Sequence, residues 1–163
     1  MLEVHGDFWS YGPVDARCIT TNGHVTAAGN AVMGRGVARQ AKDRYPGIHM
    51  VLGPMLRQYG HHVLEVLPAV APGKGWGRPA LLSYPVKPHI TSTCAPSTPC
   101  WRNNASLDLI IRSAYELVEL TDARRWSRVL LPRPGCGAGG LDWDVVQWPL
   151  SVILDYRFHV IDW

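Results

Sequence analysis

Apolar positions along the chain alternate between a spacing of two and a spacing of three to four. Residues 2–8 and 15–21 are short apolar runs that read as strands, whereas Val37, Ala38, Ala41 and Tyr45 fall on one face of a helix over residues 37–45. Pro46-Gly47 ends that helix, and a second short one fits residues 48–59. Strand candidates follow at 62–67 and 80–85, joined by a Pro/Gly-rich loop over 68–79 that contains Gly73-Lys74-Gly75-Trp76-Gly77. The longest periodic segment is 104–120, where Leu107, Ile110, Ile111, Ala114, Leu117 and Val118 make a core-facing stripe. Strands over 128–131 and 158–161 then flank a last helix over 142–155, which Pro149 must kink or start. This alternation predicts a three-layer α/β domain with helices on both faces of a mainly parallel sheet.

Two glycine-rich loops interrupt the pattern at matching places. Gly29-Asn30-Ala31-Val32-Met33-Gly34-Arg35-Gly36 and Pro134-Gly135-Cys136-Gly137-Ala138-Gly139-Gly140 each follow a strand and lead into a helix. Glycine lets backbone N–H groups approach an anion closely, and a helix N-terminus adds unpaired donors and a positive dipole end. Parallel strands would release both loops at the carboxyl end of the sheet, where such folds bind ligands. Neither loop reads G-x-x-x-x-G-K-[ST], since Leu141-Asp142-Trp143 follows Gly140. The glycines at 29, 34 and 36 also miss the dinucleotide spacing G-x-G-x-x-G. A diphosphate gripped from two sides by another α/β fold survives this elimination.

Composition narrows the surroundings of that site. The 163 residues, 47% of them hydrophobic, suffice for one core, and one domain over 1–163 is expected. A net charge of +3 tolerates a polyanionic partner without requiring one. The absence of a basic segment followed by an apolar stretch, and of any long apolar run, leads to the expectation of a soluble, cytoplasmic protein without membrane contact. Cys18, Cys94, Cys100 and Cys136 are too few and too irregular for a disulfide scaffold. Cys94, Cys100 and His89 offer zinc-ligand types without a C-x-x-C pair, so ordinary thiols are expected and no metal.

Val32-Met33-Gly34-Arg35-Gly36-Val37-Ala38-Arg39-Gln40-Ala41-Lys42 with Arg44-Tyr45-Pro46, and Leu131-Pro132-Arg133-Pro134-Gly135-Cys136-Gly137-Ala138-Gly139-Gly140-Leu141-Asp142-Trp143, resemble the two ligand loops of macrodomains. The resemblance spans essentially the whole chain. It is strongest to the branch that holds terminal ADP-ribose protein glycohydrolase and the DNA ADP-ribosyl glycohydrolase antitoxins. It implies a three-layer α/β/α macrodomain with a mainly parallel mixed sheet and ADP-ribose as ligand, with no cofactor. By the same resemblance Asp7, with the backbone of Phe8, stands where the family binds the adenine amino group. Val32, Met33, Gly34, Arg35, Gly36 and Val37 would wrap the diphosphate and distal ribose from one side. Pro134, Gly135, Cys136, Gly137, Ala138, Gly139 and Gly140 would close from the other through backbone N–H groups. Thr21 and Asn22 end the second strand where the family touches the distal ribose. Because the sequence reads Thr20-Thr21-Asn22-Gly23 with an extra stretch to Asn30, both Asn22 and Asn30 are candidates for that contact.

Lys87 is the residue that would make a binder an enzyme. Only Lys42, Lys74 and Lys87 among the 16 Lys and Arg are lysines, and Lys87 follows a strand in Ser83-Tyr84-Pro85-Val86-Lys87-Pro88-His89. A desolvated amine can lose its proton, which a guanidinium effectively cannot. In the branch resembled, the matching lysine attacks the anomeric carbon of the opened distal ribose; the competing reading is a solvated or phosphate-steering lysine. The protein-directed enzyme of that branch carries an aspartate in its second loop where this chain has Gly139, as the DNA-directed antitoxins do. Trp101-Arg102 matches an aromatic-basic pair once the insertion over 91–100 is allowed for, and Trp101 either stacks on a nucleobase or packs on the long helix.

The resulting expectation is a monomeric hydrolase of ADP-ribosyl links on thymidine in DNA or on Glu and Asp of protein. A non-catalytic ADP-ribose reader and an ADP-ribose 1″-phosphate phosphatase are the alternatives. His61-His62 reads as a polar turn, Trp9, Trp126, Trp148 and Trp163 as core or edge packing, and Cys136 as no nucleophile.

Overall fold

The computed structural model describes residues 1–70, 77–88 and 104–162. Gly73-Lys74-Gly75-Trp76, His89, Cys94, Cys100, Trp101 and Trp163 lie outside the described residues, so the zinc and nucleobase readings are not addressed by it. Along the chain run β1 (Leu2–His5), β2 (Ala16–Thr21), α1 (Gly36–Arg44), α2 (Ile48–Tyr59), β3 (Leu64–Leu67), β4 (Ala80–Pro85), α3 (Leu107–Arg124), β5 (Val129–Pro132), α4 (Trp143–Ile153) and β6 (Phe158–Asp162). The six strands form one sheet in the order β1-β6-β5-β2-β4-β3. Every pair is parallel except β3 on β4, which makes the sheet mixed.

Side-chain alternation on the strands divides the core into two layers. Ala16 and Cys18 of β2, Leu82 and Tyr84 of β4 and Val129 and Leu131 of β5 pack on Ile110, Ala114 and Leu117 of α3 and on Val146 and Leu150 of α4. The intervening Ile19, Leu81 and Leu130 face Val37 and Ala41 of α1 and Ile48, Leu52 and Leu56 of α2. The helical stripe of 104–120 thus buries as its spacing predicts, but the helix starts later, at Leu107, with the Ser106 hydroxyl accepting from the Leu109 N–H at 3.4 Å. Pro149 lies inside α4 and does not start it. The strand expected over 2–8 stops at His5, because Gly6 takes a left-handed φ of 143° and Asp7 begins a turn. Trp148 is not packed in the core or at an edge: it is 73% exposed, with Val145 and Val152 on the same helix.

The stretch between Asn22 and Val32 folds back on itself. Val25 and Ala31 form an antiparallel bridge, and the Thr26 N–H donates to the Asn30 carbonyl at 2.8 Å. This small hairpin rests on α2, where the Ala31 N–H donates to the His49 carbonyl at 2.9 Å. The contact requires glycine: a Cβ on Gly53 of α2 would lie 2.0 Å from the Gly29 carbonyl oxygen and 2.9 Å from the Ala31 nitrogen.

Alanine normally favours a helix over glycine by roughly 1 kcal/mol. Gly53→Ala is nevertheless expected to destabilise the protein by roughly 1–3 kcal/mol, because backbone and not a flexible side chain blocks the new methyl. Urea unfolding with the slope held in common measures this, and a stabilised Gly53→Ala protein would refute the close packing.

Candidate functional site

The parallel arrangement β5-β2-β4 places the carboxyl ends of three adjacent strands side by side. The chain leaving β2 crosses to α1 on one face of the sheet, and the chain leaving β5 crosses to α4 on the other. Loops that part in opposite directions open a crevice between them. A cleft of about 320 Å³ occupies that position. Thr20, Thr21 and Asn22 form its floor, Val32, Gly34, Arg35 and Gly36 one wall, and Gly135, Cys136, Ala138 and Gly139 the other. Val86 and Lys87 enter from the end of β4, and Ala38 from the first turn of α1.

The hairpin over 24–31 places the two asparagines differently relative to the cleft. It brings Val32 back to Asn22, whose Nδ2 donates to the Val32 carbonyl at 3.1 Å while its Oδ1 accepts from the His24 N–H at 2.9 Å. Asn22 therefore lines the cleft and fixes the first wall. Asn30 stays in the hairpin, its N–H on the Thr26 hydroxyl, outside the cleft lining. Met33 and Val37 are buried in the α1–α2 core and support the wall from behind.

Both walls end in the first N–H groups of a helical turn. The cap residue of α1 is Arg35, which makes no side-chain capping bond, and the first turn of α1 carries no acidic residue. On the other wall, residues Gly137–Gly139 form one 3₁₀ turn that follows Cys136. The leading N–H groups of such turns have no acceptor within them. Gly137 and Gly140, at the ends of this turn, and Pro134 before it do not line the cleft themselves.

Residues 104–106 hold this second wall to β4. The Ala105 N–H donates to the Gly139 carbonyl at 2.8 Å, and the Ser106 N–H to the Val86 carbonyl at 2.9 Å. The contact is tight enough that a Cβ on Gly139 would come within 2.9 Å of the Ala105 Cβ. Any side chain at Gly139, a carboxylate included, would meet Ala105 first.

Lys87 stands at the base of the cleft. Its backbone N–H leans on the Thr21 carbonyl at 3.4 Å, and its Nζ donates to the Ala138 carbonyl at 2.8 Å, spanning the cleft from β4 to the second wall. Burial, and then the neighbouring Arg35 guanidinium, hold the ammonium below the usual lysine pKa. Among the described residues no Asp or Glu lines the cleft. Burial raises the Cys136 thiol, which outweighs Arg133, so this cysteine stays protonated at neutral pH.

Asp7 and Phe8 lie apart from the cleft lining. The Asp7 Oδ1 accepts from the Trp9 and Ser10 N–H groups at 3.1 and 2.7 Å, a turn cap, and these bonds with the Ser10 hydroxyl hold the carboxylate's pKa down. Phe8 is fully buried, and its carbonyl accepts from Arg17 Nε at 3.1 Å.

Thr20, Ala38 and Val86 also line the cleft, within the quoted motifs but not among the residues marked for ligand contact. His61 lies beside the floor. Its ring lies over Gly23, and its Nε2 is 3.3 Å from the Thr21 hydroxyl in the cleft floor. Arg112 of α3 donates to the His61 carbonyl, and Glu116 accepts from the Val63 N–H and pairs with His62 Nδ1 at 2.8 Å, so this polar turn is pinned to α3.

Among known proteins, no family model matches the chain. The DNA ADP-ribosyl glycohydrolases of Mycobacterium tuberculosis and Mycobacterium bovis are 28% identical to it over 116 residues, 71% of this chain and 30% of theirs. The chain thus aligns with less than a third of the length of these curated relatives. The macrodomain of Mycobacterium tuberculosis DarG superposes with a TM-score of 0.71 at 23% identity, over 98% of this chain and 95% of that one. The macrodomain of Thermus aquaticus DarG gives 0.69 at 23% identity, over 98% and 95%. Thermosipho africanus DarTG in complex with ADP-ribose gives 0.70 at 19% identity, over 98% of this chain and 41% of that one. With a mixed six-stranded sheet between two helical layers and two glycine loops flanking the end of β2, the chain has the macrodomain fold.

Proposed function

We propose that the cleft binds ADP-ribose and that the protein hydrolyses ADP-ribosyl links from macromolecules, with Lys87 as the catalytic residue. The observation that carries this reading is the place of Lys87 Nζ, half-buried between the two glycine walls and 2.8 Å from the Ala138 carbonyl. The orphan N–H groups at the α1 N-terminus and at the 137–139 turn suit a diphosphate held between them. Lys87 would then lie beyond the diphosphate, by the distal ribose, with Asn22 and Thr21 below it.

Nucleophilic chemistry requires the neutral amine. Burial and Arg35 both favour it, and the Ala138 carbonyl orients it. The ring oxygen leaves C1″ and takes a proton from solvent, and the Nζ lone pair bonds to the opened C1″. One amine proton passes to the leaving group as the link to the macromolecule breaks, which leaves a lysyl iminium; water hydrolyses it to ADP-ribose, the free amine and the borrowed proton. A thymidine base in DNA is the favoured leaving group, in line with the names of the mycobacterial relatives. A Glu or Asp ester on protein is the other. The lack of a carboxylate among the described cleft residues favours one second reading, a non-catalytic ADP-ribose reader.

Lys87→Ala is expected to keep ADP-ribose affinity, measured by calorimetry, and to slow release from thymidine-linked ADP-ribose by at least roughly a hundredfold. Glutamate-linked and 1″-phosphate substrates assayed beside it identify the preferred link. Unchanged release by Lys87→Ala would eliminate the lysine mechanism, and no release by the parent protein would favour the reader.

The neutral fraction of Lys87 rises as pH climbs through its lowered pKa, so the rate should climb with pH below the ordinary lysine range. Arg35→Gln removes a like charge and raises that pKa. Its rising limb in a kcat against pH profile is therefore expected at higher pH than in the parent. An unmoved limb would show that Arg35 does not tune the amine.

A further inference from the structure

At the amino ends of β2, β4 and β5, opposite the ADP-ribose cleft, lies a second and larger depression of about 540 Å³. Along β4 the six residues Ala80–Pro85 separate the two linings, about 20 Å at the rise of a strand, while on β2 only Cys18 and Ile19 lie between them. Val14, Val70 and Trp126 give this depression apolar walls, and Arg17 and Arg78 give it two guanidinium groups.

Arg17 is 8% exposed, and among the described residues no carboxylate pairs with it directly, the Asp7 carboxylate acting on it at longer range. Its Nε donates to the Phe8 carbonyl at 3.1 Å and its Nη2 to the Tyr11 carbonyl, both neutral acceptors. Arg78 is fixed in place without being satisfied. Its Nη2 donates to the Pro68 carbonyl at 2.8 Å, its Cζ sits 5.8 Å from the centre of the Tyr45 ring, and its Nη1 is buried with no acceptor. Among the described residues neither arginine has a carboxylate within ion-pair distance.

A carboxylate does line the depression, that of Asp15, but it is committed elsewhere. One of its oxygens accepts from the Ser127 N–H, the Ser127 hydroxyl and the Arg128 N–H at 2.7–2.9 Å. Arg128, whose Nη1 donates to the Pro13 carbonyl, adds a third positive charge nearby.

Buried charges are ordinarily paired, and a buried N–H without an acceptor costs about 1–3 kcal/mol. Burial lowers the Arg17 pKa, but a guanidinium cannot escape the penalty by deprotonating. An oxyanion in the depression supplies the counter-charge that Arg17 and Arg78 lack, and it reaches Arg78 Nη1 by displacing the atoms that cover it.

We propose that this depression is a second binding site, for a small organic molecule bearing an oxyanion, phosphate or carboxylate, which Arg17 and Arg78 hold while Val14, Val70 and Trp126 cover its apolar part. The site is separate from the glycine loops and does not depend on what they bind. Its place at the other end of β2 and β4 puts it out of reach of a group held at Lys87.

The test is a nuclear magnetic resonance titration of the arginine side-chain N–H signals with inorganic phosphate and, in a parallel arm, with acetate, each at constant ionic strength and with and without ADP-ribose. The expected result is a saturable shift of the Arg17 and Arg78 signals, present in both ADP-ribose conditions. Arg78→Gln should weaken binding roughly tenfold or more while leaving the melting temperature and ADP-ribose affinity near those of the parent. The anion that binds more tightly, phosphate or acetate, identifies the headgroup. Failure of both anions to give a saturable shift at these two arginines, or equal affinity in Arg78→Gln, would overturn the proposal.

Discussion

The parallel alignment of β5, β2 and β4 is the constraint on which the ligand end of this molecule depends. Backbone pairing aligns the three carboxyl ends, and the divergence of the following loops to opposite faces opens the space between them. Each wall is then fixed by bonds within the protein. The first is held by the Asn22 amide and by the hairpin resting on α2. The second is held by residues 104–106, which bridge Gly139 and Val86. What remains for a ligand is a set of backbone donors positioned in advance, which lowers the ordering cost of binding.

Electrostatically the cleft is one-sided. Arg35, Lys87 and two sets of orphan N–H groups face it, and among the described residues no carboxylate opposes them. Such a field attracts a diphosphate and at the same time disfavours an ammonium on Lys87. Binding and the proposed activation therefore conflict in one respect: a bound diphosphate would partly cancel the Arg35 charge that lowers the Lys87 pKa. Desolvation of Lys87, the larger of its two influences, does not suffer from this and would grow as the cleft fills.

The sequence made the layer order, the helices and the two loops legible because each rests on local signals. The spacing of Ile110, Ala114 and Leu117 and the glycines around Cys136 need no tertiary information. Lys87 was legible for a chemical reason, as a rare amine at a strand end. The choice between Asn22 and Asn30 was not, since it turns on a hairpin whose partner is the His49 carbonyl of α2. Asp7 reads as a ligand residue by its motif yet caps its own turn, a bond set by backbone geometry. Trp148 was read as packed, whereas α4 turns Val146 and Leu150 inward and leaves it outside. His61 was legible as part of a polar turn but not as a neighbour of the cleft floor, because its partner Thr21 lies 40 residues away, and the arginines of the second depression carried no motif.

The contact between Gly139 and Ala105 links two positions that are remote in the chain. A carboxylate introduced at 139 has to displace the segment that bridges the second wall to β4, so the two sites are coupled and their substitutions will not add. Acquiring an acid at that place is then a two-step change, with room made at residue 105 before or together with the new side chain. A chain that keeps Ala105 is held on a path without an acid at that place.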